Sequence, residues 1–139
     1  MTTGRVLHAG TASGPILRLD EPLSFWGGFD PIAGTIIDRA HPQVGATMAG
    51  LVVAMPGSRG SAGTPGVLGE AIRRGTGPAA LLVTRGDANL VAGALVAAAL
   101  YDIACPIVLL DEADFAQLSD GDVVRVDDGT ISPAGASAS

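Results

Sequence analysis

Lysine is absent from the 139-residue chain, cysteine occurs once, and aromatic residues make up only 4 % of it. Each shortage excludes something. Binding a nucleic-acid backbone needs clustered basic side chains, whereas here eight arginines are scattered, apart from Arg73-Arg74, among 14 acidic residues. With a formal charge of −6, a nucleic-acid partner is not expected. The single Cys105 cannot form an internal disulfide or supply the several thiolates of a metal cluster, and a reduced, cytoplasmic setting is the expectation. The longest apolar run, Leu90 to Tyr101, falls short of the roughly 20 residues that cross a bilayer. The amino terminus, Met-Thr-Thr-Gly-Arg, lacks the basic-then-apolar form of a signal peptide, so no membrane partner is expected either.

What the chain has in quantity is apolar residues, 47 %, enough for the core of one domain of ordinary size. The most informative stretch runs from Met55 to Arg74. Leu51-Val52-Val53-Ala54-Met55 reads as a short buried strand, and Val67, Leu68, Ala71 and Ile72 recur at the spacing of a helix face. The loop between them lies where a strand's carboxyl end meets a helix amino end. Backbone N–H groups and the helix dipole favour an anion there, each exposed contact being worth roughly 0.3–1 kcal/mol. Gly57, Gly60 and Gly63 let the backbone come close to a ligand, and Ser58, Ser61 and Thr64 supply hydroxyls.

Elsewhere, Arg5–Ala9 and Pro15–Leu19 read as two strands joined by the glycine-bearing loop 10–14. The stretch from Asp20 to Gly34 is too rich in glycine and proline for regular structure, yet holds Phe25, Trp26 and Phe29. Those rings either cover one end of the core or sit at a partner interface, two readings that are compatible. Thr35–Asp38 reads as a short strand. His41, held extended by Pro42, is either a loop histidine bonded to backbone or a group carried toward the glycine-rich loop. Gly75-Thr-Gly-Pro78 stops the helix, and Ala79–Thr84 is a second apolar strand, giving a parallel β–α–β unit. Arg85-Gly-Asp87 spells an integrin-binding tripeptide by chance. Asn89 is expected to cap a helix to about Tyr101, and Cys105–Leu110 is a third apolar strand. Asp111, Glu112 and Asp114 read as the solvated, dipole-complementing start of a short helix rather than a metal site. Turns at Asp120-Gly121 and 127–129 bound a closing hairpin of Val123–Val126 and Thr130-Ile131, and residues 132–139 are expected to be a disordered tail. The pattern is an α/β chain, a mixed β/β/α layered domain over residues 1–131.

Three motifs in this order carry a resemblance: Gly14-Pro-Ile-Leu with Leu23-Ser-Phe-Trp-Gly-Gly-Phe-Asp-Pro31, then Gly34-Thr-Ile-Ile-Asp-Arg-Ala-His-Pro42, then Pro56-Gly-Ser-Arg-Gly-Ser61. Together they resemble the small subunit of the aconitase X family, over nearly the whole chain except its tail. The resemblance implies a swivelling β/β/α domain with a mixed, largely parallel sheet. It also implies one subunit of a heteromeric hydro-lyase that removes water from a small hydroxy acid. This chain is then expected to bind no cofactor, with an iron or iron–sulfur centre on a large aconitase-like subunit that is its partner. Ser61 matches the family's proton acceptor, and Arg59 the motif's arginine; Ser58, Gly60, Gly63 and Thr64 complete the expected substrate-binding loop. Where relatives continue with further serines, this chain has Ala62-Gly-Thr-Pro65, which leaves Thr64 as the stand-in. Family members include cis-3-hydroxy-L-proline dehydratase and phosphomevalonate dehydratase. The lysine-free, alanine-rich composition suggests a GC-rich bacterial genome and favours the first. The competing expectations are a phosphohistidine carrier through His41 and a non-catalytic anion-binding module.

Overall fold

The computed structural model describes residues 1–59 and 62–134. Among the described residues, ten strands and four helical segments follow one another. The first part contributes β1 (Thr2–Thr3), β2 (Arg5–His8), β3 (Thr11–Arg18), the kinked turn α1 (Phe25–Gly28), β4 (Phe29–Asp30) and β5 (Thr35–Ile36). The middle holds β6 (Val52–Met55), α2 (Thr64–Arg74), β7 (Ala80–Val83), α3 (Ala88–Tyr101) and β8 (Ile107–Leu109). The end supplies α4 (Glu112–Ala116), β9 (Val123–Asp127) and β10 (Thr130–Pro133).

Eight strands form one sheet in the order β1-β10-β9-β3-β6-β7-β8-β2. β3, β6, β7 and β8 are mutually parallel, and the other contacts are antiparallel. β1 and β2 lie at opposite ends of that order but are separated in sequence only by Gly4, so the sheet curls until it nearly closes. Gly4 donates its N–H to Gly129 O, and a Cβ on it would fall 2.6 Å from Leu109 O, so only glycine fits at the seam.

The central strands are apolar throughout because both of their faces are covered. Val53, Met55, Leu81, Val83 and Ile107 face a core shared with Leu68, Ala71 and Ile72 of α2, Leu90, Ala94 and Ala97 of α3, and Phe25, Phe29, Ile36 and Met48. Val52, Ala54, Leu82 and Val108 face a second core, closed by Val124, Val126 and Ile131 of the terminal hairpin and by Phe115 and Leu118. Alternation along each strand thus divides its side chains between two cores, and the result is a β/β/α stack.

Several local expectations change. The segment 10–14 is not a loop between paired strands: Thr11–Pro15 pairs antiparallel with β9, and the same strand continues parallel to β6. Glycine and proline there resemble a turn in sequence, but Gly14 is required because a Cβ would lie 2.6 Å from Gly50 O. β2 pairs instead with β8 at the far edge. α3 is capped by Asp87, whose carboxylate accepts from Asn89 N–H at 2.8 Å, so Asn89 receives the cap rather than supplying it. β5 ends at Ile36 and pairs with β4 in a small separate ribbon. β10 runs through Ser132 and Pro133, paired with Arg125 and Val124, two residues beyond position 131.

Candidate active-site loop

β6 delivers the chain into the segment 56–63, and α2 receives it. The helix begins at Thr64 behind Gly63, which has helical backbone angles and gives no side-chain cap, and its first acidic residue lies beyond the first turn. The positive end of the α2 dipole is therefore left to whatever occupies the loop. Thr64 is fully buried, yet among the described residues its Oγ1 has no hydrogen-bond partner, and the buried Ser58 Oγ also lacks one. Orphaned hydroxyls are costly in a folded protein, roughly 1–3 kcal/mol each, unless something binds them.

Two other stretches hold this loop. From one side come residues 21–26. Leu23 and Ser58 form a parallel bridge, Arg59 N–H donates to Leu23 O at 3.1 Å, and the Arg59 guanidinium pairs with the Glu21 carboxylate at 3.2 Å. The pair is half-exposed, which limits its worth to about 0–1 kcal/mol. Trp26, 63 % exposed, lays its ring over Gly63: a Cβ there would come within 2.7 Å of Cδ2 and Cε3. From the other side, Thr84 Oγ1 and Arg85 N–H both donate to Pro56 O, at 2.9 and 3.1 Å.

His41 lies one step behind. It is 3 % exposed; the Gln43 N–H donates to its Nδ1 at 3.0 Å, so Nε2 carries the proton and donates to Glu21 O at 3.0 Å. Gln43 and Asp20 exchange two further hydrogen bonds. The ring thus fastens the backbone of the residue that pairs with Arg59, and neither nitrogen is left for a phosphoryl group.

Among the expected site residues, Ser58, Arg59, Gly63, Thr64 and Trp26 come together, with His41 supporting them from below. Gly60 and Ser61 lie outside the described residues. Of the three rings in residues 25–29, Phe25 and Phe29 pack edge to face in the core with centroids 5.3 Å apart, while Trp26 faces outward. Sequence reading passed over Glu21 and Arg85. No spacing rule links either to the loop, since both arrive through tertiary contacts. Among the described residues no group of three or more His, Cys, Asp or Glu is placed to hold a metal. Cys105 does not fit that role: its thiol is fully buried against Pro78 O, and burial pushes its pKa up to about 12. Among the described residues no helix is long and apolar enough to cross a membrane.

A parallel β–α–β core with an uncapped helix start, backed by an antiparallel layer in a nearly closed sheet, defines a swivelling β/β/α domain. Residues 1–132 match the family described as the aconitase X swivel domain, and the chain belongs to that family. It is 42 % identical over 127 residues to the cis-3-hydroxy-L-proline dehydratase of Pseudomonas aeruginosa, covering 91 % of this chain but 22 % of that enzyme. The chain thus spans about a fifth of the length of such dehydratases. It is 38 % identical over 93 residues to the phosphomevalonate dehydratase small subunit of Methanothermobacter thermautotrophicus, covering 67 % of this chain and 71 % of that subunit. The crystal structure of Thermococcus kodakaraensis aconitase X in its holo-form superposes with a TM-score of 0.82 at 30 % identity, covering 95 % of this chain and 96 % of that one.

Proposed function

We propose that this chain is the small subunit of an aconitase-X-type dehydratase and that its substrate is cis-3-hydroxy-L-proline, which loses water to give 1-pyrroline-2-carboxylate. The observation that carries the chemistry is the uncapped start of α2 together with the buried hydroxyls of Ser58 and Thr64, which have no partner among the described residues and flank Ser61 in sequence. The substrate is taken from the 42 % identity with an enzyme of that name.

In this reading Ser61 takes the proton from the carbon next to the carboxylate, and the hydroxyl departs as water from the neighbouring carbon. A serine hydroxyl is a weak base. Its alkoxide needs positive potential, and the α2 dipole and Arg59 supply it. Glu21 holds Arg59 in position, and His41 holds Glu21. In the same reading the iron or iron–sulfur centre sits on a large aconitase-like subunit, and the site is shared between the two. The exposed Trp26, with Ile37 and Val44 nearby on the same segment, gives that subunit an apolar surface beside the loop. Such rings are enriched where proteins meet.

Co-expression with the large subunit tests the assignment. The assembled pair should convert cis-3-hydroxy-L-proline, and the isolated chain should not. Ser61→Ala in the pair should lower kcat by about 10²–10⁴-fold, the range for loss of a general base. Turnover near the wild-type rate in that variant would remove Ser61 from the mechanism. Assaying phosphomevalonate alongside decides the second reading, which the match to an archaeal small subunit favours.

A further inference from the structure

The carboxyl ends of three adjacent parallel strands each bring an arginine to the same edge of the sheet: Arg18 ends β3, Arg59 follows β6 and Arg85 follows β7. Two of the three are already engaged. The Arg18 guanidinium donates to Ala116 O and Leu118 O and lies 4.9 Å over the Phe115 ring. Arg59 is neutralised by Glu21. The Arg85 guanidinium has no hydrogen-bond or ion-pair partner among the described residues, although its backbone is fixed to Pro56 O. It rests on Gly57 so closely that a Cβ there would be 3.1 Å from Nε and 3.2 Å from Nη2. The next residue is Ser58, with its buried, unpartnered Oγ.

We propose that Arg85 binds the substrate's carboxylate and so sets the orientation in which the substrate meets the rest of the loop. This rests on the dehydratase reading above. A guanidinium with no partner among the described residues, laid against the backbone where the loop begins, is a complement for a planar anion, and its fork of N–H groups suits a carboxylate better than a point charge would. The carboxylate is the anionic group common to hydroxyproline and phosphomevalonate, so Arg85 serves either substrate. Because the same contact exists before and after proton removal, it contributes to substrate binding rather than to the chemical step.

The test uses the assembled pair with Arg85→Ala, Arg85→Lys and Arg85→Glu. Arg85→Ala should raise KM about 10–100-fold, the scale of one charged hydrogen-bonding partner lost, with kcat within about threefold of wild type. Arg85→Lys should recover part of the loss, and Arg85→Glu should abolish saturation. An unchanged KM in Arg85→Glu, or a fall confined to kcat, overturns the proposal while leaving the dehydratase reading intact. Should the wild-type pair turn over neither substrate, the dehydratase reading fails, and inorganic phosphate decides Arg85 independently. Calorimetric titration should then show phosphate binding weakened at least tenfold by Arg85→Ala, and equal binding, or none in either protein, overturns the proposal.

Discussion

Gly63 shows how much a single residue decides at this site. Its backbone angles are ordinary for a helix start, φ −80° and ψ −14°, so alanine suits the backbone; what excludes it is the Trp26 ring above. In Gly63→Ala the ring must swing away, and because Trp26 is mostly exposed, that movement costs the fold little. Trp26 is the only tryptophan, so its emission reports the change directly. The variant should show a shifted emission maximum, an almost unchanged Tm and reduced turnover in the assembled pair; unaltered emission would mean that the ring does not sit there in solution. For His41 the sequence left two roles open, and the fold shows the first of them, a loop histidine bonded to backbone. Only the fold places its two nitrogens against Gln43 N–H and Glu21 O. Glu21 gave no signal, and Arg85 only a chance tripeptide, because a lone charge in a loop acquires meaning only from what the fold sets beside it.

At the scale of elements, α2 followed its sequence closely. Its apolar stripe is buried, and Gly75 ends it in the left-handed conformation at φ 78°, donating to Ala71 O and Ile72 O. Its outer face carries Glu70, which accepts from Arg73 at 2.7 Å and from Arg74 at 2.9 Å. The Arg73 bond foremost, then that of Arg74, lowers the Glu70 pKa from 4.5 to about 2. A carboxyl whose pKa falls on folding adds stability above its unfolded pKa and loses it as pH drops through the folded value. The stability gap between wild type and Glu70→Gln should therefore be full above about pH 5, shrink steadily as pH falls and be lost only as pH passes below about 2. Urea midpoints measured across that range check this, and a gap as large at about pH 2 as at about pH 6 contradicts it. Salt should shrink the gap, as it does for exposed pairs. α3 was less readable. It is apolar nearly all round, so periodicity could not tell its buried face, Leu90, Gly93, Ala94 and Ala97, from the exposed Leu95 and Leu100. Gly93 is on the inner side because Leu68 of α2 packs there; a Cβ would lie 3.0 Å from that side chain.

The whole molecule is a central parallel sheet clad on both faces, and its stability depends on that double burial. Leu82 of β7 is fully buried in the core under the terminal hairpin. Leu82→Ala should cost about 2–5 kcal/mol, read as a lower urea midpoint with an unchanged m value. A loss below about 1 kcal/mol would show that the second layer packs loosely. The sequence by itself determined the alternation of apolar strands and helices, the glycine-rich loop, the helix stop at Gly75 and the family, because these depend on local composition and order. The tertiary structure decided the rest. It turned the 10–14 segment from a loop into a strand shared by two ladders, since pairing partners more than 100 residues away supply its hydrogen bonds. It placed Trp26 over Gly63 and Arg85 against Gly57, contacts between side chains and backbones that no periodicity encodes. The loop was visible in the sequence as a place for an anion, but which cation remains free to hold it follows only from how the other two are paired.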